Sequence, residues 1–150
     1  MADPRLCVSR VEDDCLFVGI VNDIASLDAG QRVLRTFLAD QGLSKRATFQ
    51  TELAFEELVT NVIQHAYTGR ARSQSPIDAV VRVEASQIVL TVEDEGPPFD
   101  PVQAPELPLA TSLEEAKVGG LGIRFIRAAA TRIAHERVAH KNRVTVWLSR

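Results

Sequence analysis

A chain of 150 residues with 45% hydrophobic and 25% charged residues has an ordinary globular composition, and its length suits one domain that buries roughly two thirds of its unfolded surface. The net charge of −3 supplies no field to gather nucleic acid or anionic lipid, and the longest apolar run, residues 15–21, is far too short to cross a bilayer. Cys7 and Cys15 form no CxxC pair, His65, His135 and His140 share no zinc-ligand spacing with them, and residues 1–10 do not resemble a signal peptide, so no zinc site is legible and the cytoplasm is the expected location.

In chain order, β-favouring runs at residues 6–11 and 16–21 flank Glu12-Asp13-Asp14 and predict a hairpin. Asn22-Asp23 offers a helix cap, after which Leu27, Val33, Leu34, Phe37 and Leu38 recur at helical spacing as far as Gly42, a stop residue. Ser44 is the predicted N-cap of a second helix over residues 45–65, with Phe55, Leu58, Val59, Val62, Ile63 and Ala66 as its apolar stripe. Residues 68–76 are polar and read as a connection. Residues 77–85 and 87–93 alternate as two strands turning near Ser86, which leaves one sheet face packed. A third helix, carrying Phe125, Ile126 and Ala129, is predicted to about Ala134. Strands at 132–139, overlapping its end, and at 143–148 turn at Lys141-Asn142, and Trp147 is expected in the core. With no repeat and no linker, this order predicts one α+β domain over residues 1–150. It is a two-layer sandwich, a mixed and largely antiparallel sheet covered on one face by three helices.

Residues 92–124 hold four of the eight glycines and five of the seven prolines. Asp94 ends a strand and Gly96 permits close backbone approach, so this pair suits recognition of an exocyclic amine; a turn leaving a strand has the same composition. Gly119-Gly120-Leu121-Gly122 precedes a helix, where backbone amides and the helix N-terminus favour an anion; a hinge is the plain alternative. No Gly-Lys-Ser/Thr follows, Phe125 stands where a dinucleotide fingerprint needs its third glycine, and the protein-kinase catalytic loop is absent. Glu57 and Asn61 lie four apart on the second helix and therefore share a face, a carboxylate suited to a general base beside an amide oxygen suited to Mg²⁺; such pairs also occur on solvated faces. His65 at the end of that helix reads as a cap or packing residue, and Cys7 and Cys15 as small buried apolar residues.

Taken together and in this order, Glu57-x-x-x-Asn61, Asp94-x-Gly96 and Gly119-Gly120-Leu121-Gly122 resemble the N, G1 and G2 boxes of the GHKL (Bergerat-fold) ATPases. Residues 57–67, the Gly96-Pro97-Pro98-Phe99-Asp100-Pro101 ending and the closing Val144-Thr145-Val146 look most like the stand-alone anti-sigma factor serine kinases of bacterial partner-switching systems, over roughly residues 16–148. The resemblance implies that Asp94 binds the adenine amine of ATP, Gly96 lines the ring, and Thr145 supports the adenine site through water. It further implies that Asn61 holds Mg²⁺, that Gly119, Gly120, Leu121, Gly122 and Ile123 cradle the phosphates, and that residues 101–118 form the lid. Glu57 would be the base that activates a partner serine, with Lys117 and Arg124 offsetting phosphate charge.

The implied protein is a serine/threonine kinase that phosphorylates a STAS-type antagonist and sequesters a sigma factor or other regulator, as a homodimer, with no direct contact to nucleic acid or membrane. Pro98 departs from the superfamily's second glycine in that box, and residues 1–14 precede the usual first strand. Two other readings stay open: an ATP-dependent binding module without chemistry, against which Glu57 argues, and a histidine kinase catalytic domain, which would need a phosphoacceptor domain elsewhere.

Overall fold

A computed structural model describes residues 7–67, 76–101 and 121–150. Alternating side chains in β1 (Cys7–Glu12), β2 (Cys15–Val21), β3 (Pro76–Val83), β4 (Gln87–Asp94), β5 (Ala130–Val138) and β6 (Lys141–Ser149) build one six-stranded sheet in the order β1-β2-β3-β4-β6-β5. Every pairing is antiparallel. The expected mixed sheet thus has no parallel neighbours among the described residues. Its physical reason is the crossover from β4 to β5: these two strands run the same way, but β6 lies between them and converts one parallel pair into two antiparallel ones.

One sheet face is apolar and covered. Leu16, Val18 and Ile20 of β2, Ile77, Ala79 and Val81 of β3, Ile88, Leu90 and Val92 of β4, and Val144, Val146 and Leu148 of β6 all point into the core. Over them lie α1 (Ile24–Ala39), α2 (Lys45–Asn61) and α3 (Leu121–Ala129). Both long helices start where the sequence predicts: the Asp23 carboxylate accepts from the Ala25 amide at 2.8 Å, and the Ser44 hydroxyl accepts from the Ala47 amide at 3.1 Å. Past α1, Gly42 adopts φ +65°, the left-handed conformation that ends a helix at little cost for glycine.

The two helices meet at Gly30, where an added Cβ would lie 3.3 Å from both Ile20 Cγ2 and Phe55 Cζ. That spacing fixes the fully buried Phe55 ring between α1 and the sheet. Phe55→Ala is expected to lower stability by about 3–5 kcal/mol through the cavity it opens, measured by denaturant unfolding.

Several sequence expectations are corrected. The second helix does not continue unchanged to His65: α2 stops at Asn61 and a π-helical turn, Val62–Ala66, follows. α3 ends at Ala129 rather than near Ala134, because Ile133 packs towards the core and Ala130 and Arg132 pair, through a register shift, with Leu148 and Trp147. The last hairpin turns at Ala139-His140, both with positive φ (49° and 69°), and not at Lys141-Asn142. This is the backbone of a two-residue primed turn, formed without the usual Asn-Gly. Trp147 lies on the outer sheet face, with the Arg132 guanidinium 4.5 Å from its ring centre, and Cys7 and Cys15 are half-buried. Among the described residues no helix is long and apolar enough to cross a membrane.

Candidate functional site

Strand β4 ends on Asp94, whose inward-facing side chain is only 7% exposed. One carboxylate oxygen, Oδ1, accepts from the Gly96 amide at 2.9 Å and bends the chain away from the sheet. Gly96 is then pressed against the π turn: a Cβ there would sit 2.7 Å from Ala66 Cβ and 2.8 Å from the Ala66 carbonyl oxygen. Tyr67, fully buried, reinforces the junction, since its hydroxyl donates to the Pro76 carbonyl at 2.7 Å and accepts from the Glu95 amide. The π turn therefore has a role in the site. It delivers Ala66 and Tyr67 to the end of β4.

Between these elements lies a cleft of about 400 Å³, counting its open mouth. The sheet contributes Val92, Asp94, Asn142 and Val144; α2 and the π turn contribute Leu58, Asn61, Val62 and Ala66; the loop after β4 contributes Phe99 and Pro101. Such a lining, apolar with a few convergent polar groups, suits a flat ring with one polar edge. Phe99 also meets the exposed His65 ring, with centres 6.2 Å apart.

Glu57 and Asn61 share one face of α2, as their spacing requires, but only Asn61 lines the cleft. Glu57 lies under the start of α3. A Cβ on Gly122 would fall 1.7 Å from Glu57 Oε2, so only glycine lets the α3 backbone sit here with the carboxylate where it is. Burial, followed by the neighbouring Glu56 charge, pushes the Glu57 carboxyl above the usual glutamate range. A carboxyl moved towards neutrality is better matched to accept a proton from a hydroxyl.

For a cation, the described residues offer no cluster of three His, Cys, Asp or Glu. The Asn61 amide oxygen is a hard donor on the cleft lining, and it fits an Mg²⁺ whose other ligands are water and phosphate oxygens. Of the glycine-rich stretch, Gly122 is buried against Glu57 and Ile123 packs on the core. Arg124 lies in the first turn of α3, and Leu121 begins the helix. Gly119, Gly120, Lys117 and the lid residues 102–118 lie outside the described residues.

Thr145 is a correction. Its neighbours Val144 and Val146 face the core, so strand alternation turns Thr145 to the outer face, where its hydroxyl meets that of Thr91 at 3.4 Å. It does not reach the cleft. The residue that does is Asn142, paired with Asp94 across β4 and β6 and only 2% exposed. Its amide donates to Asp94 Oδ1 at 3.0 Å, and Arg137 on β5 joins the same group. Asn142 is hidden in the sequence because Lys141-Asn142 has turn composition, and Arg137 because it reads as an ordinary exposed strand residue. The one available signal was the alternation Asn142, Val144, Val146, Leu148, which places Asn142 on the core face.

Residues 20–148 match the sequence profile of the histidine kinase-like ATPase domain. A serine/threonine-protein kinase, BtrW of Bordetella bronchiseptica, is 31% identical over 103 residues, covering 69% of this chain and 71% of that protein. Among solved structures, the RsbU and RsbW domains of Rv1364c from Mycobacterium tuberculosis align over 91% of this chain with a TM-score of 0.60 and 17% identity, a likeness of fold. The chain spans 33% of the length of that protein.

Proposed function

The chain belongs to the histidine kinase-like ATPase domain family, and from that premise we propose that it is an Mg-ATP-dependent protein serine/threonine kinase of the anti-sigma factor type. Its substrate in this reading is a serine on a STAS-domain antagonist protein, and its other partner is a sigma factor or comparable regulator, bound in alternation so that phosphorylation controls transcription. A homodimer in the cytoplasm fits the same reading. The observation that carries it is Glu57: a desolvated carboxyl held against Gly122, one helical turn from the cleft-lining Asn61.

The adenine ring is assigned to the cleft, its amine against Asp94 and its plane against Gly96 and the apolar walls. Asn61 would hold Mg²⁺, and the start of α3 would face the phosphates, its helix N-terminus favouring negative charge. When bound, Mg²⁺ offsets the charge of the β- and γ-phosphates. Glu57 takes the proton of the attacking serine hydroxyl; the serine oxygen forms a bond to the γ-phosphorus while the bond from that phosphorus to the β,γ-bridging oxygen breaks, and ADP leaves. The chain's own contribution is thus position and a base.

The test is transfer of label from [γ-³²P]ATP to a STAS-domain protein from the same genome, beside a titration of Mg-ATP binding. The expected result is nucleotide binding together with label on serine. Binding with no transfer to any such protein would remove the kinase and leave an ATP-gated binding module.

A further inference from the structure

Resting on the nucleotide reading of the cleft, we infer that Asn142 and Arg137 are positioning residues for base recognition, holding the Asp94 carboxylate in a single orientation towards the purine. Asparagine is disfavoured inside strands, and a carboxamide as buried as that of Asn142 is costly unless each polar atom is bonded. Here all four bonding positions are used. Its Nδ2 donates to Asp94 Oδ1 at 3.0 Å and to the Pro97 carbonyl at 2.9 Å. Its Oδ1 accepts from the Phe99 amide at 3.2 Å and from Arg137 Nη1 at 3.0 Å.

The partners of Nδ2 only accept and those of Oδ1 only donate, so an amide flip would break all four bonds. Asn142 cannot turn. Arg137 Nη1 also donates to the Gly96 carbonyl at 2.7 Å, so one guanidinium nitrogen ties β5 to both the amide and the loop.

Asp94 is fixed in consequence. Its Oδ1 is occupied twice, by the Gly96 amide and by Asn142 Nδ2, and neither bond engages Oδ2. A purine amine approaching the cleft therefore meets a carboxylate whose rotation is already arrested and whose second oxygen is the one left for it. That preorganisation is a device for choosing a base with an amino group at C6 over one without. A residue that only stabilised the fold would have no such preference.

The experiment compares binding of ATP with that of purine riboside 5′-triphosphate, which lacks the 6-amino group, both with Mg²⁺, by calorimetry. Wild type is expected to prefer ATP roughly tenfold to a hundredfold, the value of one hydrogen bond to a charged group. Asn142→Ala is expected to reduce that preference to about threefold or less, mainly by weakening ATP. Arg137→Met, at the exposed sheet edge, reduces it partly and carries the test if the buried variant does not fold. Arg137→Lys restores it, because a single nitrogen makes both native bonds. Equal weakening of both triphosphates in Asn142→Ala or Arg137→Met, with the preference intact, would overturn the inference. Wild type that binds neither triphosphate would sink the nucleotide reading itself, and this inference with it.

Discussion

Replacing Glu57 by glutamine is expected to slow phosphoryl transfer by about 10²–10⁴-fold while Mg-ATP affinity stays within about threefold, because a general base acts on the attacking hydroxyl and not on the nucleotide's ground state. The structure explains why the two effects separate: Glu57 lies outside the cleft that Asp94, Asn61 and Asn142 line, and its carboxylate packs on Gly122. Glutamine keeps the length of the side chain, so α3 retains its seat. The raised carboxyl makes the same residue visible in pH profiles. Transfer by the wild type should fall on acidification through a midpoint above the ordinary glutamate value, and Glu57→Gln should lack that limb.

Stability moves the other way. A carboxyl raised in the folded state holds its proton more tightly than in the unfolded chain, so its contribution is complete below the unfolded pKa and is lost as pH rises through the folded one. Glu57→Gln is therefore expected to melt above wild type near neutral pH, and the gap should close on acidification, read from thermal denaturation across about pH 4 to 8. A variant that lost nucleotide binding along with transfer would mean that Glu57 shapes the cleft.

The helices and strands were legible wherever one local force decides. Asp23 and Ser44 are caps with a short side-chain acceptor, and the alternation of Ile77, Ala79 and Val81 against Ile88, Leu90 and Val92 can belong only to a half-covered sheet. The places of Glu57 and Asn61 on one helix face and of Asp94 and Gly96 at a strand end were legible from spacing, whereas the roles given to them rest on the resemblance. What failed were the features that depend on partners distant in sequence. The π turn after Asn61 has no local signature, and it exists where Ala66 must close on Gly96, 30 positions away. Thr145 entered through resemblance alone, although the alternation of Val144, Val146 and Leu148 already turns it outward, and Asn142 was missed for a local reason. Lys141-Asn142 resembles a turn more than Ala139-His140 does, yet pairing of β5 with β6 forces the turn onto the latter and both of its residues into positive φ. Once Asn142 belongs to the strand, the period of two sends it to the core face and Thr145 away from it.

The tight approach of Gly96 to Ala66 makes Gly96→Ala the second large effect expected. A methyl group at this position meets Ala66 Cβ at 2.7 Å and the Ala66 carbonyl at 2.8 Å, and neither is the end of a flexible side chain that could swing aside. The added carbon must therefore move backbone, either the π turn or the loop after Asp94. Tyr67 resists the first, since its hydroxyl is bonded to both the Pro76 carbonyl and the Glu95 amide. The loop resists less, because residues 97–99 are exposed and bound chiefly through Asn142. Displacement of the loop drags the Gly96 amide from Asp94 Oδ1 and the Gly96 carbonyl from Arg137. Overpacking of this kind costs about 1–3 kcal/mol, and if most of it falls on the loop, Mg-ATP affinity should drop by roughly 5- to 150-fold with a smaller loss of melting temperature. Ala66→Gly removes the 2.7 Å contact but leaves the carbonyl at 2.8 Å, so the double variant should recover part of the affinity and not all of it. Titration of Mg-ATP into the two single variants and the double variant measures this coupling, and an affinity unchanged in Gly96→Ala would show that the ring does not rest on Gly96.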